Sequence, residues 1–104
     1  MNMNKIYDKL RKCTGFEWDN YNINKNWEKH RVSPVESEQT FFNNTLFVAD
    51  DIKHSESEIR YYALGKTDRN RKLFISFTIR NNKIRVISSR DMSKKERENY
   101  EKYK

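Results

Sequence analysis

The stretch from Lys72 to Arg90 places two apolar, alternating segments on either side of Asn81-Asn82. Asparagine tolerates the positive φ that a two-residue type I′ turn demands, so this pattern predicts a β-hairpin. With Arg80 opposite Lys83, Thr78 falls opposite Arg85, Ser76 opposite Ile87 and Phe74 opposite Ser89. Side chains alternate faces along a strand. One face then carries Ser76, Thr78, Arg80, Lys83, Arg85 and Ser89, and the other Leu73, Ile75, Phe77, Ile79, Ile84 and Val86. The second set has to meet a core, while the first stays wet with an arginine at its centre.

The flanking segments say what that hairpin belongs to. Phe16-Glu17-Trp18 reads as a short strand, and Asp19 as the N-cap of a helix over roughly 20–31. On that helix Ile23, Trp27 and His30 fall at i, i+4 and i+7, the buried stripe of an amphipathic helix. Ser33, Pro34 and Glu36 open a second helix with a capping box, running to about Phe42. A strand around Leu46 and Val48 leads into an acidic loop, Asp50 to Glu58. The next strand, Ile59 to Leu64, puts Arg60, Tyr62 and Leu64 on one side, and a basic turn from Lys66 to Arg71 enters the hairpin. Ser93 and Glu96 form another capping box for a C-terminal helix carrying Tyr100 and Tyr103. Residues 1–15, with Ile6 and Leu10 marking a turn or two of helix, read as a peripheral N-terminal extension ended by Gly15. Residues 16–104 then form one α+β domain: a mainly antiparallel sheet, two N-terminal helices on its apolar face and a C-terminal helix.

Composition narrows the function. A chain of 104 residues buries one modest core. Cys13 is alone, which excludes a disulfide framework and a cysteine-based zinc cluster and fits a reducing, cytoplasmic location. No apolar run approaches a membrane span, and no signal-peptide core is expected, so no membrane partner is either. Residues 1–65 hold nine Lys and Arg against ten Asp and Glu, whereas residues 66–104 hold thirteen against five. The whole excess of +7 therefore lies in the C-terminal part, where it favours phosphate backbones or serves solubility.

Several blocks carry a family likeness. Phe16-Glu17-Trp18-Asp19, Asn26 to His30, Val32-Ser33-Pro34 with Phe41-Phe42, His54-Ser55-Glu56, Arg60 to Gly65 and Ile84 to Arg90 resemble, in order and spacing, the BrnT family of bacterial type II toxins. Glu96 and Tyr100 fit the end of the same pattern, so the likeness spans about residues 16–101. It implies a fold similar to RelE-type ribonucleases and RNA cleavage that inhibits translation. It also implies an antitoxin with a ribbon-helix-helix part, through which alone the toxin meets operator DNA, and it leaves room for a toxin dimer in the complex. Arg31 departs from the pattern: a glycine commonly follows the Lys-His pair there, so the helix C-cap is altered.

Metal-independent RNA cleavage needs a base for the 2′-hydroxyl proton, cations for the pentacoordinate phosphate and an acid for the leaving oxygen. Arginine suits the middle role, because its fork binds phosphate oxygens bidentately and keeps its charge. Arg85 is the first candidate; its structural alternative is a pair with a carboxylate such as Glu58 or Glu96. Arg60 joins it if its strand lies alongside, with Tyr62 as a surface on which a base stacks. Arg80 and Lys83, beside the turn, bind substrate or stay solvated. Arg90 lies on the opposite parity and braces the C-terminal helix, or takes part in catalysis if the resemblance holds.

Imidazole is the side chain whose unperturbed pKa lies near neutrality, which makes His30 a candidate base, against a packed, hydrogen-bonded place in the Ile23–Trp27 stripe. Its neighbour Lys29 would stabilise charge or serve as acid. Tyr100 contacts substrate, or else belongs to the core or to an antitoxin contact, and Glu96 reads as a cap. His54, with Asp50, Asp51 and Glu56, is too sparse a set for a metal, so neither metal nor cofactor is expected. The rival class is a non-catalytic basic nucleic-acid-binding subunit of a repressor complex, which needs the same cations.

Overall fold

Asn81 and Asn82 both adopt positive φ, 53° and 58°, and close the predicted hairpin. The computed structural model describes residues 3–103. The hairpin strands are β4 (Lys72–Arg80) and β5 (Lys83–Asp91). Before them come α1 (Met3–Arg11), β1 (Gly15–Glu17), α2 (Asn20–His30), α3 (Pro34–Phe42), β2 (Phe47–Asp50) and β3 (Tyr61–Lys66); α4 (Lys94–Tyr103) follows. The sheet order is β1-β5-β4-β3-β2, antiparallel except that β1 runs parallel to β5 along one edge.

The hairpin register departs from the simple alternation at one point. Arg80 pairs with Lys83 and Thr78 with Arg85, but Ser76 faces Ser88 instead of Ile87, and Phe74 faces Arg90 instead of Ser89. Ile87 is the extra residue of a β-bulge, and one extra residue exchanges the faces of everything beyond it. Ser89, expected on the wet face, is fully buried. Arg90, expected on the opposite parity from Arg85, shares its face.

The inner face of the sheet presents Tyr61 and Ala63, Leu73, Ile75 and Phe77, and Val86, all in one buried cluster with Val32 and Val48. Burying a side chain the size of Phe77 contributes roughly 2–3 kcal/mol. α2 and α3 lie against β5, β4 and β3. The residue α2 turns inward is Asn26, 2% exposed, and not Trp27, which is 48% exposed. The seam beneath is polar and small: Asn26 Oδ1 accepts from the Ser89 N–H at 3.2 Å, and the Ser37 and Ser89 hydroxyls meet at 2.7 Å. Trp27 instead lies under the Arg31 guanidinium, 5.4 Å away. Arg31 itself caps α2 in the left-handed region at φ 54°, the geometry that glycine adopts without strain.

Residues 3–11 do not stay peripheral. Ile6 enters the inner core, and the Tyr7 hydroxyl donates to the Leu46 carbonyl at 2.9 Å and accepts from the Val48 N–H at 3.0 Å, on the outer edge of β2. On the other face of the sheet, Tyr100 of α4 is buried with Leu64 and Met92 against Tyr62 and Phe74, and its hydroxyl donates to the Thr45 carbonyl. The predicted caps form at Asp19, Ser33 and Ser93.

Arg71 ties the helices to the sheet. Nε and one terminal nitrogen hold Asp91 at 2.7 and 3.1 Å, while the carbonyls of His30 and Arg31 and the Glu36 carboxylate take bonds of 2.8–3.0 Å. The last carbonyls of α2, the first turn of α3 and the end of β5 are thus held by one side chain. Among the described residues no helix is long and apolar enough to cross a membrane.

Candidate active site

α4 covers only part of the outer face. The open part forms a groove of about 410 Å³ whose lining includes Thr78, Arg85 and Ile87 from the hairpin, Glu17, Asp19 and Asn22 from the β1–α2 junction, and the loop that carries His54, Glu56, Glu58 and Arg60. Arg85 sits on β5 between two neighbours: Thr78 stands opposite on β4 and Glu17 opposite on β1. Its Nε lies 3.3 Å from Glu17 Oε1, and a terminal nitrogen 3.8 Å from Asp19 Oδ2. Both carboxylates are about half exposed, so these are weak, solvent-screened pairs that a phosphate can replace.

Arg80 is held more firmly, with Nε 3.0 Å and a terminal nitrogen 2.7 Å from the two Glu58 oxygens. That bidentate bond keeps the Glu58 carboxyl below the usual carboxylate range. Arg60 is placed through its backbone: its carbonyl accepts from the Asp51 N–H at 2.8 Å and its N–H donates to Ser55 Oγ at 2.9 Å. The groove therefore gathers three guanidinium groups with at least as many carboxylates. It is a charge-balanced cleft, not the bare cationic face that the net charge suggested.

The remaining candidates lie elsewhere. Arg90 makes a two-pronged bond to Glu96 at 2.8 and 2.9 Å and lies over the Phe74 ring, its guanidinium 4.3 Å from the centroid. Tyr62 stacks on the same ring at 5.4 Å, half-buried beneath α4. Tyr100 is core. His30 gives its carbonyl to Arg71, Lys29 is exposed on α2, and Lys83 pairs with Gly15 at the turn end of β5; none of the three lines the groove. Sequence reasoning missed Glu17 and Asp19 as the partners of Arg85, because the parallel β1–β5 pairing joins segments far apart in the chain. Among the described residues, no group of three or more His, Cys, Asp or Glu side chains is placed to hold a metal.

The sequence profile of the family described as "Ribonuclease toxin, BrnT, of type II toxin-antitoxin system" matches residues 18–96. The chain belongs to the BrnT toxin family. The match takes in every groove residue except Glu17 and leaves α1 outside it. A solved structure titled "1.1 Angstrom-resolution crystal structure of the Brucella abortus ribonuclease toxin, BrnT" superposes with a TM-score of 0.58 at 19% identity. The alignment covers 77% of this chain and 97% of that one, a likeness of fold. A comparison with curated protein sequences gives no match.

Proposed function

We propose that this toxin is a metal-independent endoribonuclease that cleaves RNA, inhibits translation and is neutralised by a ribbon-helix-helix antitoxin. The observation that carries the reading is the convergence of Arg60, Arg80 and Arg85 on one open groove. Guanidinium groups fixed around a phosphodiester stabilise the charge that develops on its oxygens during displacement. Arg85 is the central member, held by a strand with neighbours on both sides, and Arg60 flanks it. Arg80 binds the adjoining phosphate once Glu58 yields. Membership of a type II toxin family supports an antitoxin partner and an RNA substrate.

The test is purified protein with bacterial RNA in excess EDTA. Cleavage that persists in EDTA and disappears in Arg85→Ala, with the circular dichroism spectrum unchanged, is the expected result. Intact RNA with undiminished binding replaces the nuclease by a docking subunit. Induction of the chain alone arrests bacterial growth, and co-expression of the cognate antitoxin restores it.

A further inference from the structure

The groove that gathers the three arginines also contains a histidine braced by a carboxylate. His54 ends a single 3-10 turn, Ile52–His54, and its Nδ1 lies 2.9 Å from Asp51 Oδ2 and 3.1 Å from Oδ1. An ionised carboxylate only accepts, so Nδ1 carries the proton of this bond and the neutral ring keeps its lone pair on Nε2. Asp51 is well fixed. Its N–H donates to the Arg60 carbonyl at 2.8 Å, and its own carbonyl accepts from Ser55 Oγ at 2.7 Å. Ser55 Oγ in turn accepts the Arg60 N–H at 2.9 Å. The turn is thereby tied to the backbone of Arg60, and the imidazole, 62% exposed, lines the same groove as the three guanidinium groups.

Three of the four carboxylates that line the groove face arginines and are less suited to accept a proton. Glu58 is gripped by Arg80, and Glu17 and Asp19 face Arg85. A carboxylate held by a guanidinium is a poor base, while imidazole changes charge nearest neutrality. A carboxylate behind the ring fixes its tautomer and stabilises the imidazolium that forms.

We propose that His54, oriented by Asp51, is the proton acceptor of the ribonucleolytic reaction, an inference that rests on the endoribonuclease reading above. Nε2 takes the proton of a ribose 2′-hydroxyl, and the 2′-oxygen forms a bond to the adjacent phosphorus. The bond from phosphorus to the 5′-oxygen breaks, and that oxygen leaves with the electron pair and takes a proton from water. The imidazolium returns its proton to the hydroxide so formed. The products are a 2′,3′-cyclic phosphate and a 5′-hydroxyl end. His54 is a catalytic residue in this scheme and Asp51 a positioning residue.

The test compares wild type, His54→Ala, Asp51→Asn and Arg85→Ala on bacterial RNA, both free and as ribosomes, with RNA affinity measured in parallel. His54→Ala is expected to cleave roughly 10²–10⁴-fold more slowly. Its RNA affinity stays unchanged, and added imidazole restores part of the lost rate. The groove that His54 lines also holds Glu56, Glu58 and Arg60 from its own loop, Arg80 and Arg85 from β4 and β5, and Glu17 and Asp19 from the β1–α2 junction. All of these remain in Asp51→Asn. Asp51→Asn, which removes the brace behind the ring, is expected to lower kcat by less than His54→Ala does and to leave KM and RNA affinity unchanged. Wild-type cleavage by His54→Ala, with Arg85→Ala inactive, overturns this inference and leaves the nuclease reading intact. A loss that imidazole does not restore and that comes with weaker RNA binding makes His54 a binding residue and also overturns it. RNA left whole by the wild type, free and on ribosomes, removes both.

Discussion

Arg90 lies across the face of Phe74, its guanidinium 4.3 Å from the ring centroid, with both prongs on Glu96 of α4. The bulge at Ile87 is what brings them together, because it places Arg90 directly opposite Phe74 on the neighbouring strand. The pair clamps α4 to the sheet beside the groove, so its contribution is to stability. Arg90→Ala is expected to cost about 1–2 kcal/mol, a third of the side chain being in water. Urea unfolding measures the loss. RNA cleavage assayed well below the unfolding midpoint stays within about threefold of wild type, as expected of a residue outside the reacting groups.

Arg85 is expected to respond in the opposite way. Arg85→Lys keeps the charge but loses the planar fork that meets two phosphate oxygens at once. Cleavage falls roughly 10²-fold, as for the loss of one oriented donor to a developing charge. The melting temperature barely changes, since the pairs with Glu17 and Asp19 are solvent-screened. A lysine variant as active as wild type makes Arg85 a point charge only.

Arg71 carries the largest structural load of any single polar side chain among the described residues. Arg71→Ala leaves the Glu36 and Asp91 carboxylates and two helix-end carbonyls without their donor, a loss of about 3 kcal/mol. For a domain of this size that lowers the melting midpoint by about 15 °C. Calorimetry of the purified variant reads it directly, and an unchanged midpoint refutes the account of the α2–α3 corner given above.

Acid lowers the stability of the wild type through the same contacts. Arg71 holds the Asp91 carboxyl below its usual range, and Arg90 does the same for Glu96. Burial pushes Glu36 up, but bonds from the Ser33 N–H and Arg71 outweigh it and the net direction is down. These carboxyls ionise at lower pH in the folded chain than in the unfolded one, so the folded state binds fewer protons. Their contribution is complete above about pH 4.5 and is lost as pH falls through the folded values. Urea midpoints are expected to fall steadily below that pH, and less steeply in Arg71→Ala.

The sequence made the hairpin legible because alternation and an Asn-Asn link are local signals, and the three caps for the same reason. It also placed Arg85 on the correct face. The bulge escaped, because Ile87-Ser88-Ser89 offers three residues that each suit a strand and nothing local marks one as extra. The orientation of α2 was misread because Trp27 is large and apolar, yet its ring is shielded by Arg31 while a polar seam of Asn26, Ser37 and Ser89 fills the inside. Glu17 and Asp19, as partners of Arg85, were hidden by distance along the chain. The His54–Asp51 bond, by contrast, joins residues three apart and was within reach of local reading.

Tyr7 engages, with one hydroxyl, the Leu46 carbonyl and the Val48 N–H on the outer rim of β2. Burial and the neighbouring Tyr103 hydroxyl push its phenol up to about 12, so it remains protonated and engaged at any physiological pH. α1 thereby lies where an added strand would have to pair, and part of the edge's hydrogen-bonding capacity is already used. The segment that stands before the family's matched region is thus the one that shields this border.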